Sequence, residues 1–68
     1  MKKARIIEKR NPRCPSREGR LELRSGRKGT GRLLGAVNFW PDSSRSCDAA
    51  DRIIYEIADR EGVAVHED

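Results

Sequence analysis

Polar and apolar residues alternate strictly through Arg20-Leu21-Glu22-Leu23-Arg24. That period of two is the signature of a half-buried strand, with Leu21 and Leu23 on one face and Arg20, Glu22 and Arg24 on the other. Residues 32–40 resume the pattern as a second strand. Leu33, Gly35, Val37 and Phe39 are predicted on its inner face, with Leu34, Ala36, Asn38 and Trp40 on its outer face. Between the two lies Ser25-Gly26-Arg27-Lys28-Gly29-Thr30-Gly31, which reads as a flexible connection, so the pair forms a hairpin with a long basic tip. Upstream, the β-branched run Ala4-Arg5-Ile6-Ile7-Glu8 predicts a strand over residues 3–9. The loop that follows, Asn11-Pro12-Arg13-Cys14-Pro15-Ser16, excludes any regular element because its prolines fix φ and remove amide donors.

After Trp40 the period changes. Pro41-Asp42-Ser43-Ser44 breaks the strand, Ser46 is the expected helix N-cap, and Asp48 is expected in the first turn, where the helix dipole favours negative charge. Cys47, Ala50, Ile53, Ile54, Ile57 and Ala58 recur at steps of three and four, one face of a helix over residues 47–61. Gly62 follows as its C-terminal glycine. Val63-Ala64-Val65-His66 is a short last strand. The expected fold class is α+β: a small two-layer β-β-β-α-β domain over residues 1–68, its sheet mainly antiparallel, with one helix packed on one face. Ile6, Leu21, Leu23, Leu33, Val37, Phe39, Ile53, Ile54, Ile57, Val63 and Val65 make the expected core.

Charge adds what periodicity does not. The chain is 38% charged with a formal charge of +4. Residues 1–37 hold 12 Lys and Arg against 3 Asp and Glu, whereas residues 38–68 hold 3 against 8. The front half is thus at +9 and the rear half at −5, an asymmetry that points to a polyanionic partner for the basic side. The expected contact residues are Lys9, Arg10, Arg13, Arg20, Arg24, Arg27, Lys28 and Arg32: cations on a strand, a loop and a glycine-rich ribbon can follow a phosphate backbone. The bland alternative is a solvated hairpin kept soluble by its charge. Leu34 and Trp40, read as pointing away from the helix, are the expected protein interface, and a homodimer through that outer face is a further expectation. Trp40 could also stack a base; the bland alternative is that it folds over the edge of the core or packs on Pro41.

Other chemistry is read as absent. The longest uncharged run, residues 33–41, is too short to span a bilayer, and the apolar stretch behind Lys2 and Lys3 stops at two isoleucines, unlike a signal peptide. A cytoplasmic location in a bacterial or virus-infected cell is expected, with no membrane partner. No cofactor and no metal are expected, since Cys14, Cys47 and His66 are neither paired nor sufficient for a zinc site, and both cysteines are read as reduced. Residues 26–31 superficially suggest a nucleotide loop, but a strand rather than a helix follows them. Cys47 near a helix N-terminus has only His66 as a conceivable base, so it reads as a small core residue, and no catalytic residues or enzymatic activity are expected. The acidic helix residues read as a solvated face.

In element order, residues 20–61 resemble the arm-binding domains of phage integrases. That resemblance implies a sheet that enters a DNA groove. The whole plan is similar in size and layout to small phage inhibitors, anti-CRISPR proteins among them, which implies a protein partner that processes nucleic acid. Two functions are therefore expected in competition: a non-catalytic basic protein that binds DNA or RNA through phosphates, and a mobile-element inhibitor of a nucleic-acid-processing complex.

Overall fold

A computed structural model describes residues 2–14 and 16–66; Pro15, read above as part of the first loop, lies outside them. The elements run β1 (Lys2–Arg10), β2 (Gly19–Ser25), β3 (Leu33–Phe39), α1 (Ser44–Glu61) and β4 (Val63–Val65). They form a four-stranded sheet of order β3-β2-β1-β4. β1 with β2 and β2 with β3 are antiparallel, and β4 joins β1 in parallel. One helix covers one face, so the β-β-β-α-β plan of an α+β fold holds.

Ser43 and not Ser46 caps the helix, which begins three residues earlier than its apolar period suggests. Ser43 is extended, and its side chain accepts from the Ser46 amide at 3.3 Å. The amide of Ser43 in turn donates to the Trp40 carbonyl, closing the turn after β3. Ser46 Oγ is occupied elsewhere: it accepts from the Trp40 amide at 2.9 Å. The first turn consequently holds no acid, and Asp48 lies beyond it. At the other end Gly62 adopts the left-handed conformation, φ 69°, and returns its amide to the carbonyls of Ala58 and Asp59.

The helix meets the sheet through Ala50, Ile54 and Ala58, which pack on Ala4, Leu21, Leu23 and Phe39. Two small alanines on the contact stripe bring the helix axis close to the strands. Ile57 then sits to one side, over Gly35, where a Cβ would come within 2.7 Å of its Cγ2. One turn earlier on that flank, Ile53 is 42% exposed, so it does not belong to the core.

A register shift overturns a second pair of expectations. Leu23 faces Gly35, but Arg24 faces Leu33, leaving Leu34 as an extra residue, as in a β-bulge. Leu34 therefore turns to the helix side and packs half-buried against the core. Leu33, which takes the face of Arg24, is 40% exposed. Strict alternation assigns these two leucines the other way round. Among the described residues no helix is long and apolar enough to cross a membrane.

Candidate nucleic-acid interface

The face of the sheet opposite the helix is built by the other half of each strand's alternation. Ile6 faces Leu23 and Glu8 faces Leu21 on the helix side, so Arg5, Ile7 and Lys9 of β1 share the open side with Arg24, Glu22 and Arg20 of β2. Lys3 joins them by the same period. Asn38 and Ala36 of β3 extend this face beyond Arg20 and Glu22.

Glu22 lies at its centre, only 4% exposed. Lys9 Nζ approaches Oε1 at 3.3 Å, Arg20 Nε approaches Oε2 at 3.1 Å, and Arg24 Nε donates to Oε1 at 3.1 Å. The Arg24 hydrogen bond is the main reason that the Glu22 carboxyl titrates below its ordinary value. The hydrogen bond and charge of Lys9 and the charge of Arg24 act in the same direction, while burial opposes them. One carboxylate shared by three cations holds them in a defined array without neutralising them. Arg24 is fixed further by donating to the Gly31 carbonyl at 3.3 Å.

The basic tip is tied down, contrary to the flexible connection expected of three glycines. The Gly26 amide donates to the Lys3 carbonyl at 2.8 Å, Gly29 to Gly26 at 3.1 Å, and Gly31 to Ser25 at 3.0 Å. Arg32 donates its amide to Ser25 Oγ at 2.9 Å. Gly29, at φ +69°, lies so close over Ile7 that a Cβ would fall 2.7 Å from its Cδ1. The loop therefore folds back onto the open face and roofs Ile7. Arg5 Nη1 donates to the Arg27 carbonyl at 3.4 Å, while the side chains of Arg27 and Lys28 remain exposed.

The structure thus brings together Lys9, Arg20, Arg24, Arg27 and Lys28 from the expected contact set and adds Lys3 and Arg5. It separates the others. Arg10 turns to the helix side, paired with Glu8 at 3.4 Å and 5.9 Å from the Phe39 ring centroid. Arg13 is exposed in the loop between β1 and β2, where its amide donates to Asn11 Oδ1. Arg32 lines a shallow depression with Leu34 and Glu61 on the helix side. Of the expected protein interface only Trp40 is exposed, at 58%; Leu34 is taken up by the core. The expectation of a homodimer through paired Leu34 and Trp40 loses that geometric basis, and the cationic face itself is self-repelling.

No family model, no curated protein and no solved structure matches the chain.

Charge is segregated by layer as well as by half of the chain. Seven cations line or roof the open face against the single carboxylate of Glu22. The exposed side of α1 carries Asp48, Asp51, Glu56, Asp59 and Glu61 against Arg45, Arg52 and Arg60. β1 alone spans roughly 30 Å at about 3.3 Å per residue, so the basic band is long enough to meet several successive phosphates. Glu22 and Asn38 do not stand out as site residues from the sequence. Yet the Arg20-Glu22-Arg24 alternation puts an acid between two guanidinium groups.

Proposed function

We propose that this chain is a non-catalytic nucleic-acid-binding protein that grips the phosphate backbone with the open face of its sheet. The observation that carries the reading is the array of Lys3, Arg5, Lys9, Arg20, Arg24, Arg27 and Lys28 on one layer, with a single acid among them. Guanidinium and ammonium groups at this spacing neutralise phosphates and release counterions, which supplies sequence-independent affinity. Glu22 organises the array in advance, so less side-chain entropy is lost on binding. The acidic outer side of α1 repels the polyanion and orients it toward the sheet. The working compartment is then one that holds nucleic acid, the cytoplasm of a bacterial or virus-infected cell.

A second reading is a small phage-type inhibitor that seats on a nucleic-acid-processing complex. It draws on the exposed Trp40, a residue type favoured at protein hot spots, with the same cations occupying an acidic partner surface. Co-purification separates the two. Tagged protein drawn from cells at low salt should carry nucleic acid that nuclease treatment and high salt both remove. A protein complex retained after nuclease treatment would favour the inhibitor.

A further inference from the structure

Where β1 ends, β2 begins and β3 turns toward the helix, the sheet opens into a cleft of about 450 Å³. Trp40, Asn38, Lys9, Arg10, Arg20 and Glu18 are among the residues that line it. Its volume lies within the roughly 300–1,000 Å³ of small-ligand sites. We infer that this cleft takes one unpaired nucleotide of a single-stranded nucleic acid, with the base stacked on Trp40 and its phosphate held by Lys9 and Arg20. The inference rests on the phosphate-binding reading and narrows it to an unpaired strand.

The state of Trp40 is the first support. The residue is 58% exposed, yet its backbone is held from both directions. Its amide donates to Ser46 Oγ at 2.9 Å, and its carbonyl accepts from the Ser43 amide at 3.0 Å. An aromatic face presented to water on an anchored backbone gives a stacking platform with little further ordering to undergo. Bases inside a duplex have both faces covered by their neighbours, so only an unpaired base can use it.

The surroundings supply the rest of a nucleotide's chemistry. Lys9 directs only one charge-paired contact at Glu22 and carries three donors; Arg20 uses Nε there and carries five. Asn38 faces Arg20 across the β2–β3 ladder, which sets an exposed amide, both donor and acceptor, beside the cations. Glu18 on the rim accepts from Asn11 Nδ2 at 3.0 Å and so is turned to the loop between β1 and β2.

Trp40 is the only tryptophan, so its emission reports on this cleft alone. The experiment titrates the protein at low salt with a labelled single-stranded oligothymidylate, a duplex of the same length and free thymidine monophosphate, following both Trp40 emission and label anisotropy. The single strand should quench the emission saturably. The duplex should bind by anisotropy and leave the emission unchanged, and the mononucleotide should bind at least ~10-fold more weakly than the strand, since it leaves the remaining cations unused. Trp40→Ala should lower single-strand affinity roughly 5- to 150-fold, the range for one stacked base, and leave duplex affinity unchanged. Trp40→Phe should keep most of the single-strand affinity. Single-strand binding without quenching, unaltered affinity in Trp40→Ala, or a mononucleotide as tight as the strand would overturn the inference while the phosphate-binding reading stands. If neither strand nor duplex binds, the phosphate-binding reading fails and takes this inference with it.

Discussion

Ile53 and Ile54 are adjacent, chemically identical and opposite in environment. Ile54 is fully buried under the sheet and Ile53 is 42% exposed. Replacing each by alanine removes the same atoms and adds the same increment of helix propensity, about 0.4 kcal/mol in favour of alanine. For Ile54→Ala the lost transfer energy of three carbons is roughly 2.4 kcal/mol at about 0.8 per methylene. The cavity left between Leu23 and Ala58 raises the cost to somewhere in the 2–5 kcal/mol observed for such deletions, about 3 if the helix settles partway into the gap. For Ile53→Ala the partial loss of contact and the gain in propensity nearly cancel, so the net change should stay within about 0.5 kcal/mol. A chain of 68 residues commands roughly 3–10 kcal/mol in total, so Ile54→Ala removes a large share of it. Equilibrium urea unfolding followed by far-ultraviolet circular dichroism reads both. With a slope near 1 kcal/mol per molar for a small domain, the Ile54→Ala midpoint should fall by about 2–4 M, or the variant should be unfolded without urea, while Ile53→Ala tracks wild type. Equal losses in the two variants, or a larger loss at Ile53, would refute the rotation of the helix on which the core is built.

Two further perturbations probe the sheet from its two faces. Gly35→Ala puts a methyl into Ile57 and should cost about 1–3 kcal/mol in the same unfolding assay, the range for overpacking. Glu22 titrates below its ordinary value, so its stabilisation is present above pH 4.5 and is lost as pH falls through the lower, folded-state value. Wild-type stability should therefore fall with acid in that window. Glu22→Gln should flatten the dependence, lower stability at neutral pH and raise low-salt affinity for nucleic acid, because the open face gains one net positive charge; an affinity that drops instead would show that Glu22 organises the cations more than it offsets them.

The parts of this account that the sequence carries are those in which one local pattern decides the outcome. The alternation of residues 20–24 assigns Leu21 and Leu23 to the core and Arg20, Glu22 and Arg24 to the opposite face without any tertiary information. Gly62 ends the helix for a reason internal to the backbone. What is not legible depends on pairing between distant segments. Lys9 reaches Glu22 only because β1 and β2 pair in one register. The exchange of Leu33 and Leu34 follows from a bulge that two consecutive leucines cannot announce. Ile53 and Ile54 both satisfy a helical period, and the choice between them falls to Ala50 and Ala58, whose small size lets the helix lie where it does. The tip looks loose in composition because glycine tolerates many conformations, yet the backbone hydrogen bonds that fix it involve Lys3, Ser25 and Arg32 and leave no trace in residue type.

The central claim, that the open sheet face binds phosphates, is tested most directly by the salt dependence of binding. Labelled duplex and single strand would be titrated at several salt concentrations with wild type, with Arg27→Glu combined with Lys28→Glu, and with Arg52→Glu combined with Arg60→Glu on the exposed side of α1. On B-DNA, about six net positive charges give a limiting slope of roughly −5 in log affinity against log salt. The tip pair should flatten the slope by about two units, one for each lost contact, with a similar loss on unrelated sequences. The helix pair should leave the slope unchanged. Binding by wild type no better than background at low salt, or equal losses from the tip pair and the helix pair, would contradict the account.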